Sequence, residues 1–266
     1  MIGKLRHRVL DAYAFLALAY LFLPIAIVVA FSFNNPLGRF NYTWQGFTLK
    51  NWEHPLAYPG LSSALQVSLE IAVLSSLIAT ALGTLIALAL VRYRFRGSAT
   101  TNLLIFVPMA TPEIVMGASL LALFVNWRFP LGFGTILIAH IMFNISYVVV
   151  TVRARLVGFD RHLEEAAMDL GANELVTFFR VTLPLIAPGI LAAALLSFAL
   201  SIDDFVITYF NAGTVTTFPL FVWGAARVAV PPQINVIGSA IFLFAIAAML
   251  ANLLWQNRRV RRTAAA

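Results

Sequence analysis

Residues 165–184 read EAAMDLGANELVTFFRVTLP, a mixed polar segment set between two long apolar stretches. A segment this polar lies outside a bilayer that its neighbours are apolar enough to enter. Asp160 is placed to cap a helix, and Glu164 and Glu165 in the first turns favour its positive end. Ala166, Ala167, Met168 and Leu170 are good helix formers, and Gly171 supplies a φ > 0 stop. Asn173 then caps a second short helix carrying Leu175, Val176, Phe178 and Phe179, and Pro184 restarts the chain as a new apolar run. Two short helices hinged at a glycine make a compact knob, with Ala166 and Ala167 small enough for close approach by a partner. The other reading is an amphipathic loop lying on the membrane surface.

Working outward, the apolar stretches set the class. The chain of 266 residues is 61% hydrophobic and only 11% charged, against roughly 25% charged in soluble domains. Crossing a hydrocarbon layer takes about 20 apolar residues. Runs of that order occur six times, at approximately 12–33, 63–91, 101–125, 133–152, 184–210 and 234–256. The expected architecture is all-α and integral to the membrane, one transmembrane domain over 1–266 with a polar loop at about 153–183. Cysteine is absent, which excludes disulfides and thiolate centres.

The net charge of +7 is unevenly spread. Lys4, Arg6, Arg8, Arg92, Arg94, Arg96, Arg153, Arg155, Arg161, Arg180, Arg258, Arg259, Arg261 and Arg262 fall on one side of the six runs. Arg39, Lys50, Arg128 and Arg227 fall on the other. The excess of Lys and Arg on cytoplasmic loops then places both termini and the 153–183 loop inside. Basicity here is a topology signal and argues against a nucleic-acid partner. The N-terminus has a rival reading as a signal peptide, but its apolar run exceeds the usual 7–15 residues of such a leader. A retained helix is expected.

Between the runs, residues 34–62 are rich in Trp, Tyr, Asn, Gly and Pro, which predicts a structured external loop at headgroup level. The second run is lined with Ser75, Ser76, Ala79, Thr80, Ala81, Gly83 and Thr84, which let helices approach closely. Pro108 and Pro112 interrupt the third run. Broken backbone at membrane depth is tolerated only where protein or a watery cavity satisfies it. Residues 211–232 read as a dipping external loop with a short amphipathic stretch from Phe218 to Trp223.

Chemistry-bearing groups are few. There is no GxxxxGK[ST] phosphate loop, and His7, His54, His140 and His162 lack HExxH spacing, so no metal is expected. His140 and Asn144, one turn apart, either line a pathway or tie helices together by hydrogen bonds. Carboxylates within the runs are more pointed, since each costs at least about 2.5 kcal/mol in lipid. These are Glu70, Glu113, Asp203 and Asp204. With no Lys or Arg inside the runs, a cationic ligand or hydrogen bonds to Ser, Thr and backbone are the available partners. Asp203 and Asp204 differ by roughly 100° on a helix, so only one can face a lumen squarely. A membrane enzyme using Glu113 or Asp203 with His140 is disfavoured by their different estimated depths. A channel is the third possibility.

The quoted segment also resembles the EAA loop of ABC importer permeases: EAA, three residues, Gly, nine residues, an Ile-like residue (Val181), one residue, Leu-Pro. Further stretches resemble the second membrane subunit of polyamine importers for spermidine and putrescine. They are Arg92–Gly97, Thr111–Met116, Val148–Val152 and Leu196–Asp204. The resemblance implies a six-helix permease of the type I importer fold in a bacterial cytoplasmic (inner) membrane. It implies pairing with a second homologous permease as a heterodimer, two ATPase subunits below and an extracytoplasmic solute-binding protein above. It assigns ATPase coupling to Glu164, Glu165, Ala166, Ala167, Asp169 and Gly171. A substrate path would carry Glu113, Asp203, Asp204, Glu70 and Trp223, the last on a scoop-shaped helix. No cofactor binds this chain; ATP and Mg belong to the ATPase. Relatives for other organic cations, iron or phosphonates share much of the pattern.

Overall fold

The computed structural model describes the backbone of residues 2–93 and 95–263 and the side chains of residues 10–93 and 95–247. The basic side chains of Lys4, Arg6, Arg8, Arg94 and Arg258–Arg262 therefore lie outside the described residues. The chain is helical. Its elements are α1 (Ile2–Ser32), α2 (Lys50–Glu53), α3 (Leu61–Arg92), α4 (Ser98–Ala110), α5 (Glu113–Asn126) and α6 (Phe133–Val157). They continue with α7 (His162–Asp169), α8 (Glu174–Thr177), a π turn (Phe178–Thr182), α9 (Leu183–Ile202), α10 (Val206–Asn211), α11 (Phe218–Val228) and α12 (Pro232–Thr263).

Two compact units divide these elements, one of residues 1–62 and 222–266 and one of residues 63–221. In the first, α1 packs along α12, with Phe22 6.4 Å from Phe242 between ring centroids. Its external loop is ordered by amides. Asn34, fully buried, donates to Asn41 and to the carbonyl of Thr43 and accepts from the backbone N–H of Gln45. Asn51 donates to the carbonyls of Ser32 and Asn34, and Phe33 stacks on both Phe47 and Trp52. These side chains add to the backbone pairs from Asn35 N–H to the Gly46 carbonyl and from Thr48 N–H to the Phe33 carbonyl.

In the second unit α6 is the hub, packed against α4, α5, α9 and α10. Its Val148, Val149 and Val152 are buried against Ala79, Ala87, Ile186 and Ala193. The small-residue face of α3 is the buried one. A Cβ on Gly83 would sit 2.6 Å from Val148, so the α3–α6 approach at this level requires glycine. In a bilayer such contacts act through close van der Waals packing, since lipid tails remove most of the hydrophobic difference.

One sequence expectation, the broken third run, holds and three others change. The third run is two helices, α4 and α5, bent by 108° at Thr111–Pro112, because Pro112 cannot continue a helix and holds its neighbour extended. The fifth run, expected unbroken over 184–210, ends at Ile202 and resumes as α10. The cause is Asp204, whose carboxylate accepts from the N–H groups of Ile207 and Thr208 and starts a new helix. Pro184, in contrast, restarts nothing. α8, the π turn and α9 run on without a gap, with Pro184 in the first turn of α9. The wider π turn just before it makes room for a ring that lacks an N–H and would otherwise strike the preceding carbonyl. The loop is also shorter than 153–183, since α6 extends to Val157 and α9 is already joined at Glu174.

Candidate functional site

Two clusters of the second unit hold the sequence-predicted residues, one at each end of α9. The first is the knob. Asp160 Oδ1 accepts from the N–H of His162 at 3.0 Å and lies 2.7 Å from its Nδ1. That contact raises the His162 pKa above its usual value and lowers that of Asp160. Glu164 and Glu165 stand in the first turn of α7, as the dipole favours. Gly171 closes the helix at φ +89°, and Asn173 Oδ1 accepts from Val176 N–H at 2.9 Å to start α8.

The two glutamates part company. Glu165, Ala166, Asp169 and Gly171 are exposed and Ala167 is half-buried. Glu164 instead turns inward to an ion pair with Arg92 at the end of α3, and it accepts a hydrogen bond from the buried Thr182 of the π turn. Arg92 also donates to the Thr182 hydroxyl at 3.3 Å, and Arg161 donates to the carbonyl of Val91 at 2.9 Å. Around this brace the knob turns apolar side chains outward: Leu170 is 91% exposed, Leu175 70% and Phe179 61%. A cleft of about 200 Å³ lined by Arg92, Tyr93, Glu164, Met168, Glu174, Thr177 and Phe178 opens beside them.

The second cluster sits where α9 breaks. Asp204, with a side chain only 7% exposed, accepts from the Thr208 hydroxyl and N–H, each at 2.8 Å. His140 of α6 lies 3.3 Å from the same carboxylate oxygen. Its ring nitrogens also meet Ser201 at 2.7 Å and Thr208 at 2.9 Å, and Ser201 is 3.0 Å from Ser75 of α3. Four helices are thereby stitched together at one level. Asp203 is the exposed member of the pair. Since adjacent residues cannot face one way, the inward residue is Asp204 and the outward one Asp203.

Glu113 and Glu70 do not join this cluster. Glu113 is exposed in the first turn of α5, just past the 108° bend. Glu70 is exposed on α3 and accepts from Gln66 at 2.8 Å. Trp223 of α11 belongs to the other unit and has Arg227 stacked 4.7 Å from its ring. His140 joins neither Glu113 nor Asp203, the pairing an enzyme would need. Asn144, one turn along α6, is fully buried. Sequence reasoning missed Arg92 and Thr182 as partners of Glu164. The available signal was an arginine at the very end of an apolar run, read there as topology alone. Among the described residues no cluster of His, Cys, Asp and Glu is arranged to hold a metal.

Residues 79–265 match the family described as the inner membrane component of binding-protein-dependent transport systems. The chain is 41% identical over 235 residues to the spermidine/putrescine transport system permease protein PotC of Escherichia coli (strain K12), covering 88% of each. It is 39% identical over 234 residues to the putrescine transport system permease protein PotI of the same strain, covering 85% of this chain and 83% of that one. Among solved structures it is similar to a chain of a bacterial ABC transporter involved in the import of the acidic polysaccharide alginate. That likeness has a TM-score of 0.69 at 15% identity, over 97% of this chain and 96% of that one, and it concerns the fold alone.

Proposed function

Because the chain belongs to the family of inner membrane components of binding-protein-dependent transport systems, we propose that it forms half of a translocation path for a polyamine of the spermidine and putrescine class. It is a permease subunit of an ABC importer and not an enzyme; ATP is hydrolysed on a separate subunit. The substrate class is carried by one observation: the match to polyamine permeases extends over 88% of this chain and of its relative. The geometry supports it with Asp203, an exposed carboxylate on a helix break, held there by a neighbour that faces the core.

In this reading residues 1–266 act as one permease domain of six spans, α4 and α5 together making the third, with both termini in the cytoplasm. It pairs with a second homologous permease, two ATPase subunits that bind ATP and Mg, and an extracytoplasmic binding protein. Glu165, Ala166, Ala167, Asp169 and Gly171 present the docking face to an ATPase, with Leu170, Leu175 and Phe179 as its apolar contacts. Closure of the ATPase pair moves the knob, and α9, joined to it without a gap, carries the motion across the membrane. Twenty residues of α9 span about 30 Å, so Asp203 lies near the far side. There its carboxylate and that of Glu70, with Glu113 nearer mid-depth, would attract an ammonium far more strongly in a partly dry passage than in bulk water. An anionic phosphonate would be repelled by the same groups.

The test is uptake of labelled spermidine and putrescine by the assembled complex carrying Asp203→Asn, Glu113→Gln or Asp204→Asn. We expect Asp203→Asn to lower uptake about tenfold, the loss of roughly 1.4 kcal/mol of charge attraction, with normal assembly. Unchanged uptake in all three variants would remove the cationic path from this chain.

A further inference from the structure

The chain's own use of Glu164 goes beyond docking. Three groups from three elements close on one another here: the Arg92 guanidinium at the end of α3, the Glu164 carboxylate on α7 and the Thr182 hydroxyl in the π turn. Arg92 donates to both others, and Thr182 donates to Glu164, so the triangle is internally satisfied. Glu164 and Arg92 are 16% and 26% exposed and Thr182 is fully buried. In a pair this shielded, removing one partner strands the other charge, which costs more than breaking a pair in open solvent. The guanidinium of Arg161 fastens the start of the same knob to the last turn of α3 through the Val91 carbonyl. α7 is thus bolted to α3 at two points, while the chain itself joins the knob only to α6 and α9.

We infer that Arg92, Glu164 and Thr182 form the joint that transmits motion of the knob to α3. Glu164 is a positioning residue within the permease, not a contact for the ATPase. The inference rests on the coupling role proposed above for the knob. Without the joint, a docked ATPase would still move α9 but leave α3 behind. The π turn places Thr182 at the joint, which gives that irregular segment a role beyond accommodating Pro184. Opposite charges, and not which of the two positions carries each, are what the joint needs, so exchanging the two charges should preserve it.

The experiment uses the full assembled complex with a cysteine at Leu170 for crosslinking to the ATPase subunit. Crosslink yield, ATP hydrolysis and polyamine uptake are measured for Arg92→Glu, Glu164→Arg, the double exchange and Thr182→Val. We expect each charge reversal to keep the crosslink and the ATP hydrolysis but to cut uptake per ATP about tenfold, within the range of coupled contact pairs. The double exchange should recover most of the uptake, and Thr182→Val should lower uptake per ATP by about fivefold, as for the two hydrogen bonds its hydroxyl makes. If the single reversals do not assemble, the double exchange and Thr182→Val decide. A double exchange that assembles without recovering uptake, or a Thr182→Val complex with the original uptake per ATP, overturns the joint. Absence of the Leu170 crosslink in the otherwise unaltered complex overturns the docking role instead.

Discussion

The two ends of α9 each turn one carboxylate inward beside an exposed one, but they do so with different partners. At the Leu183 end, Glu164 and Arg92 neutralise each other inside the knob, and the exposed surface mixes the apolar Leu170, Leu175 and Phe179 with the carboxylates of Glu165 and Asp169 and the small residues Ala166 and Gly171. At the Ile202 end, Asp204 is buried among His140, Ser201 and Thr208, and what is left exposed is a carboxylate, Asp203. The first end pairs one acid internally and shows a mixed apolar and acidic surface, of a kind that suits contact with another protein. The second buries one acid and leaves its neighbour exposed. In the function proposed above, one helix would connect a protein-facing end to a solute-facing end.

The sharpest way to break this comparison is Gly171→Asp. Nothing lies within 4 Å of where its Cβ would go, so the permease itself has room for the side chain. The φ of +89° opposes any Cβ, and the added carboxylate would enter the docking face. We expect membrane insertion to persist and uptake to fall about a hundredfold, strain of order 1–3 kcal/mol adding to a lost fit. Uptake at the original rate with normal ATP coupling would mean that the knob meets no partner through this face.

The other end is sharpened by Asp204→Ala set beside Asp203→Ala. Removing Asp204 takes a hydrogen-bond acceptor from Thr208 and a charged neighbour from His140 and unpins the start of α10, so thermal stability in detergent should drop by about 2 kcal/mol. Removing the exposed Asp203 should leave stability within about 0.5 kcal/mol. Equal losses for the two would erase the distinction between a holding acid and a presenting one.

The smallest effect belongs to Asp160 and His162, at the entry to the knob. His162 titrates above its ordinary 6.5 because the Asp160 carboxylate accepts its hydrogen bond and attracts its charge. Asp160 titrates below its ordinary 3.8, held down by hydrogen bonds from the His162 side chain and backbone. The contact is therefore strongest between those limits. It fades as pH rises through the raised His162 value and as pH falls through the lowered Asp160 value. Both groups are fully exposed, so the change in folding stability should be slight. Ring-proton titration by NMR should give a His162 midpoint above 6.5 that returns toward it in Asp160→Asn, and a midpoint indifferent to that substitution would dissolve the pair.

Much of this molecule was legible before any coordinates. The apolar runs foretold membrane helices, Gly171 its left-handed turn, Asn173 its cap and the Pro108–Pro112 stretch a break, because each depends on local chemistry. The small residues of α3 likewise announced a close-packed face. What was not legible depends on which helices meet. Nothing local says that Glu164 turns to Arg92, 72 positions away, while Glu165 beside it stays exposed. The break at Asp203–Phe205 was missed for a related reason. An aspartate deep in an apolar run resembles a lumen residue, and its capping of α10 is affordable only because His140 arrives from α6 to share the carboxylate.

By itself the sequence determined the class of the protein, the position of its polar knob and the short list of acids in its apolar runs. These follow from hydropathy, backbone preference and the cost of charge in lipid, all properties of a residue and its near neighbours. Only the tertiary structure decided between Asp203 and Asp204, and between Glu164 and Glu165. In both pairs the residues are chemically alike and adjacent, and what separates them is which one finds a buried partner on another helix.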